Sequence, residues 1–213
     1  MKNRTQEILL VSTLLAFHHG PALGNGQPVR VDVEPRAVLV ERTASAQLVS
    51  FDLSIENLGA EPLRLARIEL SVYDRRGDLE LRKFLTSTGL RHGDDSTVEL
   101  APNSSAFLFN PFESFSPDVE LARLRYELFF ESGDAVKELA VSVSVEPAVF
   151  TPKTELRLPL KGRVLVHDGH DFFAHHRRFD LANPFLKELN VTHNFTRYAS
   201  DLCIVDERGD LRR

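Results

Sequence analysis

The chain has no tryptophan, one methionine and one cysteine in 213 residues. A lone Cys203 has no partner for an internal disulfide, so a disulfide-stapled fold and a thiolate zinc cluster are both excluded. Positive charge is not in excess: 26 Lys and Arg stand against 31 Asp and Glu, a net charge of -5. That balance excludes an overall basic nucleic-acid binder and offers no polybasic patch to a membrane surface. No apolar run approaches the about 20 residues that a bilayer span requires. What is abundant is phenylalanine, at 15 residues, within a chain that is 42% hydrophobic and 27% charged. Those values describe a packed core, and the length allows one large domain or two small ones.

The first twenty-four residues read as an address. Lys2 and Arg4 carry positive charge, and Ile8 to Phe17 form an apolar run of ten. His18, His19, Gly20 and Pro21 break that run, and Ala22-Leu23-Gly24 supplies small residues for a signal peptidase. This order is that of a secretory signal, which predicts a secreted or periplasmic protein starting at Asn25. No membrane span is expected after its removal.

Residues 25–150 alternate with a period of two. Val29-Arg30-Val31-Asp32-Val33-Glu34 is strict, and Val49, Phe51, Leu53 and Ile55 interleave with polar partners. Ile68/Leu70/Val72, Leu124/Tyr126/Leu128 and Leu139/Val141/Val143/Val145 repeat the pattern. A period of two puts one set of side chains on a core face and the other in water. Turn signals separate the runs at Asn57-Leu58-Gly59, Arg75-Arg76-Gly77-Asp78, Ala101-Pro102-Asn103 and Ser132-Gly133-Asp134. Six to eight strands without a convincing amphipathic helix predict an all-β, antiparallel sandwich of immunoglobulin-like or fibronectin-like form. Asp94-Asp95 sits in a Gly-containing turn and reads as solvated.

The chain changes character near residue 150, after the Pro-punctuated joint Glu146-Pro147 and Thr151-Pro152. Residues 1–150 hold 15 Lys and Arg against 22 Asp and Glu, whereas residues 151–213 hold 11 against 9. Five of the eight histidines (His167, His170, His175, His176, His193) lie in this last part. Leu156 to Val166 reads as a strand, a turn at Gly162 and a second strand. The dense imidazole and carboxylate of residues 167–179 admit three readings. They are a zinc site, acid–base work by a histidine that a neighbouring Asp orients, and a solvated loop.

The runs LPLKGRVLVHDGHDFFAHHRRFD and ELNVTHNFTRYASDLCIVDERGDLR resemble the opening of a lysostaphin-type zinc metallopeptidase domain, over residues 154–213. Members of that family cut peptide cross-links of bacterial cell walls, and several carry a β-sandwich in front. The resemblance implies zinc as cofactor and bacterial cell-wall peptide or peptidoglycan as partner. It places Asp201 at the Asp of the family's His-x-x-x-Asp segment. Arg197 stands where the family has His, and a guanidinium has no lone pair for a metal. His193, His175 and His176 are then the candidate replacements. The family's His-x-His segment, which holds the last ligand and the general base, has no counterpart here, since no His follows His193. The final sixty residues are therefore expected to be an incomplete β-rich segment that lacks the parts for hydrolysis. The competing expectations are a non-catalytic periplasmic or extracellular β-sandwich interaction module, and a fragment that proteolysis trims to about residue 150. Cys203, within an apolar run, reads as a small buried hydrophobe, and Arg177, Arg178, Arg212 and Arg213 as solvated surface.

Overall fold

The structure is a computed structural model and describes residues 27–89, 98–132, 137–151, 153–155, 157–158, 160–169 and 171–211. The signal-like segment 1–24, Asp94-Asp95, His170, Arg212 and Arg213 lie outside these residues. The fold is all-β. Strands β1 (Val29–Glu34), β4 (Asp52–Asn57) and β8 (Ser105–Phe109) form one sheet in the order β1-β4-β8. A second sheet runs β11-β10-β5-β6, from Lys137–Val145, Arg123–Ser132, Leu63–Tyr73 and Leu79–Thr86; β7 (Glu99–Leu100) also pairs with β5. A third runs β12-β2-β3-β9, from Ala148–Val149, Leu39–Arg42, Gln47–Val49 and Ser114–Phe115. Pairing is antiparallel except between β2 and β12, which are parallel.

The three sheets share one core. Leu53 and Ile55 of β4, Leu65, Ile68, Leu70 and Val72 of β5, and Leu124, Tyr126, Leu128 and Phe130 of β10 are all fully buried. Each such side chain contributes about 1.5–3 kcal/mol by leaving water. On β5 the buried set shifts from odd positions (Leu63, Leu65) to even ones (Ile68, Leu70, Val72). The cause is a bulge. Phe129 faces Arg67 and Phe130 faces Leu65, so Ala66 is the extra residue and the alternation changes phase there.

The alternating run from Val49 to Ile55 is not one strand. It breaks at Ser50-Phe51, where the chain leaves the third sheet and joins the first. Buried alternation continues across the break, because Val49, Phe51, Leu53 and Ile55 still point into the same core. Asp52 therefore falls on the outer face of the β1-β4-β8 sheet, on the side opposite Leu53. Asn57, the last residue of β4, is fully buried. Its amide donates to the carbonyls of Glu61 (2.8 Å), Leu100 (3.1 Å) and Ala101 (3.2 Å), and its Oδ1 accepts from the Gly59 N–H at 2.9 Å.

Two turns of the same sequence type close hairpins far apart in the chain, Asp74-Arg75-Arg76-Gly77-Asp78 and Asp206-Glu207-Arg208-Gly209-Asp210. In the first, Asp74 Oδ1 accepts from the N–H of Arg76 (2.9 Å) and Asp78 (2.8 Å). In the second, Asp206 Oδ1 accepts from Arg208 (2.8 Å) and Asp210 (3.0 Å). Gly77 and Gly209 have φ of 88° and 90°, the left-handed region. An added Cβ at Gly77 meets nothing within 4 Å, so only backbone strain is at stake. Gly77→Ala should therefore cost about 1 kcal/mol in a denaturant titration. Burial pushes the Asp74 carboxyl up, but the Asp78 N–H, the Arg76 guanidinium and the Arg76 N–H outweigh it and hold the group below its ordinary value. A depressed folded value means that this turn is supported at neutral pH and loses that support as the pH falls below about 4.

The last part of the chain forms a two-stranded antiparallel ribbon, β13 (Arg163–Asp168) with β14 (Asp201–Val205). The expected strand pair around Gly162 is corrected here: β13 is the second of the two strands, but it pairs with β14, about forty residues on. Leu156 and Pro159 lie outside the described residues, and none of the described residues of 153–161 belongs to a strand. Between β13 and β14 runs a long connection whose only helix among the described residues is α1 (Pro184–Glu188), capped by Asn183, whose side chain accepts from the Phe185 N–H at 2.9 Å.

Candidate metal centre

The ribbon places two carboxylates at its mouth. Asp168, the last residue of β13, is paired directly with Asp201, the first of β14, after a bulge at His167. From Asp168 the chain enters a tight turn. Asp171 Oδ1 accepts from the Phe173 N–H at 3.0 Å, the Ala174 N–H donates to the Asp171 carbonyl at 3.1 Å, and Ala174 is buried. That turn returns His175 and His176 to the two carboxylates.

His175, His176 and Asp201 each offer one ligand atom, and the three atoms lie within 4.8 Å of one another. His176 Nε2 is 3.1 Å from Asp201 Oδ1, and His175 Nε2 is 3.8 Å from Asp201 Oδ2. The two imidazole rings are 3.9 Å apart between centroids. Asp168 holds His175 from behind: its Oδ2 accepts from the His175 N–H at 3.1 Å and is hydrogen-bonded to His175 Nδ1. The His175 N–H and ring together hold the Asp168 carboxyl below its ordinary value. With a proton on Nδ1 shared with Asp168, Nε2 keeps its lone pair and faces Asp201. This is the arrangement by which an outer carboxylate orients a ligating imidazole. The group could hold a metal ion, which would replace the proton that His176 and Asp201 share. Replacing Asp168 by Asn removes the orienting charge, and should weaken metal binding by about 10–100-fold in a competition titration.

His193 is not part of this group. It is exposed, its Nδ1 lies 3.3 Å from Thr192 Oγ1, and it borders a separate cleft with Glu34, Pro35 and Phe195. The loop that carries it is tied to the histidine turn by Asn194, whose amide donates to the carbonyls of His176 (2.8 Å) and Arg177 (3.4 Å).

Arg197 pairs with a residue from the other end of the chain. Its Nη2 donates to Asp52 Oδ2 at 2.8 Å and to the Glu34 carbonyl at 3.3 Å. Arg177 reaches the same carboxylate, with Nη1 at 2.6 Å from Asp52 Oδ1 and 2.8 Å from Oδ2. Its Nη2 donates to the Phe51 carbonyl at 2.8 Å, an acceptor outside the strand ladders at the sheet break. Asp52 is fully buried, and the side chains of Arg177 and Arg197 are 2% and 5% exposed. Arg177 is thus no solvated surface residue: burial lowers its pKa while Asp52 raises it. Arg178 stacks over the Phe109 and Phe172 rings, at 5.2 and 5.7 Å. The connection between β13 and β14 is thereby seated on the outer face of the β1-β4-β8 sheet. Its histidine turn has two jobs, since His175 and His176 face Asp201 and Arg177 faces Asp52.

Asp168 is the residue that spacing alone did not single out as part of the site. Its signal was the His and Asp density of residues 167–171, but its role depends on the register that sets it opposite Asp201. Cys203 is a free thiol, half-buried on β14 opposite Leu165. Among the described residues, no helix is long and apolar enough to cross a membrane.

No family model matches the chain, and no curated protein matches it either. Among solved structures, it is similar to the Northeast Structural Genomics Consortium target SoR45, at 14% identity over 67% of this chain and 100% of the other, with a TM-score of 0.40. It is also similar to the Bordetella pertussis structural-genomics target called ApaA, at 11% identity over 59% of this chain and 95% of the other, with a TM-score of 0.36. Superpositions this loose leave the reading of the site to its own geometry.

Proposed function

We propose that this protein is an exported β-protein, akin to the zinc-dependent peptidoglycan endopeptidases, that holds one zinc ion at His175, His176 and Asp201 on a surface turned toward bacterial cell-wall peptide. The observation that carries the reading is the convergence of three ligand atoms backed by Asp168. Two imidazole nitrogens and a carboxylate oxygen suit a borderline metal such as zinc, and three protein ligands leave one position open. Zinc in such a site lowers the pKa of its water and polarises a carbonyl. We assign to these residues the binding of the metal and no step of hydrolysis. The export reading rests on residues 1–24, and we read the all-β scaffold as a sandwich of immunoglobulin-like or fibronectin-like form.

The test is metal content. Protein purified without chelator should carry one zinc per chain, and Asp201→Asn and His176→Ala should each lose it while keeping the β-sheet circular dichroism of the parent. A metal-free parent that also fails to take up cobalt as a spectroscopic stand-in would remove the reading. Sedimentation with purified peptidoglycan, with and without zinc, tests the partner.

One observation favours a second reading, that of a non-catalytic interaction module. Arg197, at the position of the family's first ligand, is committed to Asp52, so that position serves docking. Wall or protein binding that survives both metal removal and Asp201→Asn would select this reading.

A further inference from the structure

A separate cleft of about 530 Å³ lies between the end of β1 and the loop before β14, bordered by Glu34, Pro35, His193, Phe195, Arg197 and Tyr198. Its size is within the range of small-molecule sites. Three features of its Arg197 wall concern charge. First, the buried cluster beneath it holds two guanidinium groups and one carboxylate, since Arg177 and Arg197 share Asp52. One positive charge is left over in a place where charges are costly to bury alone. Second, Arg197 Nη1 is a buried donor without a hydrogen-bond partner among the described residues. Buried donors are rarely left so, and each such case calls for an explanation. Third, Glu34 gives Arg197 its backbone carbonyl, and no ion pair joins its side chain to Arg197 among the described residues.

We propose that this cleft binds a small molecule through a carboxylate, with the Arg197 guanidinium as its anchor. A single surplus positive charge matches a monoanion, and a carboxylate oxygen matches Nη1, which can make a charge-assisted hydrogen bond while Nη2 stays on Asp52 and Glu34. The aromatic rings of Phe195 and Tyr198, 69% and 54% exposed, form the wall against which the body of the ligand packs. Nη1 has no exposed surface as the structure stands, and Phe195 packs edge-on against Phe179 at 5.7 Å, so the carboxylate reaches the donor only as this wall yields. Asp52 fixes Arg197 from below, so the donor is held in place before the ligand arrives. The Glu34 carboxylate on the rim opposes an anion and limits its affinity. This site does not depend on the metal group.

The experiment is a titration of the isotopically labelled whole chain, followed by amide shifts, with benzoate as the probe. Benzyl alcohol and inorganic phosphate are the comparison ligands. Benzoate should produce saturable shifts at Glu34 and residues 193–199 that chelator does not abolish, and benzyl alcohol should not. Arg197→Lys retains a positive charge for Asp52 and loses the Nη1 donor. It should weaken benzoate by about tenfold to a hundredfold, the loss expected for a hydrogen bond to a charged group. Glu34→Gln should tighten binding by removing the opposing charge. The proposal is overturned if benzoate gives no saturable shift, or if phosphate and benzoate act alike with no dependence on Arg197. It is also overturned if Glu34→Gln weakens binding, because Glu34 would then belong to the ligand's attractive surroundings.

Discussion

Asp52→Ala is expected to destabilise the protein by about 3–5 kcal/mol, the cost of breaking a buried ion pair by removing one partner. Both guanidinium groups would be left in a site without a counter-charge, with Arg177 still held to the Phe51 carbonyl. Two outcomes relieve that state, global unfolding or release of the segment that carries Arg177 and Arg197. Release exposes the connection of residues 169–200, which holds Arg177, Arg178, Lys187 and Arg197 as trypsin sites. Limited trypsin digestion of the variant should therefore trim the chain back to about residue 150 much faster than the parent. A denaturant titration followed by tyrosine fluorescence should show the loss in midpoint. The companion variant replaces the whole cluster with Asp52→Leu, Arg177→Met and Arg197→Leu. It should stay docked with near-parental stability, because burying apolar groups of similar size removes the desolvation cost that the ion cluster bears. Equal trypsin resistance of Asp52→Ala and the parent would mean that the segment is held by something else.

Asn57→Ala should cost about 2–3 kcal/mol, from two amide N–H groups shared among three carbonyls and one Oδ1 acceptor, at about 1 kcal/mol each. The amide spans three carbonyls that belong to two different places, the turn at Glu61 and the end of β7 at Leu100 and Ala101. Of the three acceptors the bond to Leu100 is the buried one, whereas Glu61 and Ala101 are exposed and the Ala101 carbonyl keeps the Ser104 N–H and hydroxyl, so the largest share of the loss falls at Leu100. Asn57→Asp is a sharper variant. It keeps an acceptor for the Gly59 N–H but turns negative charge toward three carbonyl oxygens. Its carboxyl would be raised in the folded state, so the variant should be worse than Ala at neutral pH and recover as the pH falls. Urea midpoints at neutral and mildly acidic pH give both comparisons.

The strands most visible in the sequence were those with one clean face. β1, β10 and β11 follow their alternation, and β5 follows it on either side of its bulge. β6 gave a weaker signal because Lys83 takes a slot within its apolar series, Leu81 and Leu85 flanking it. The structure shows how the lysine is tolerated: its ammonium lies 4.3 Å from the Phe115 ring centre, and burial lowers its pKa. In the site, Asp201, His175 and His176 come together, whereas His193, the nearest imidazole in sequence to Asp201, does not. Proximity along the chain misled because Asn194 turns that loop toward the histidine turn and leaves His193 on the other side. The Asp52 cluster carried no local signal at all. Its partners lie 125 and 145 residues downstream, and an Asp in an alternating strand looks like any solvent-facing residue.

That separation has a consequence for how the protein is made. At about 5–20 residues per second, the ribosome delivers Arg197 many seconds after Asp52. Throughout that interval the outer face of β4 waits with a bare carboxylate that favours water over any apolar neighbour. A charge in that position discourages nascent chains from adhering to one another along this sheet until its own late arginines arrive to neutralise it.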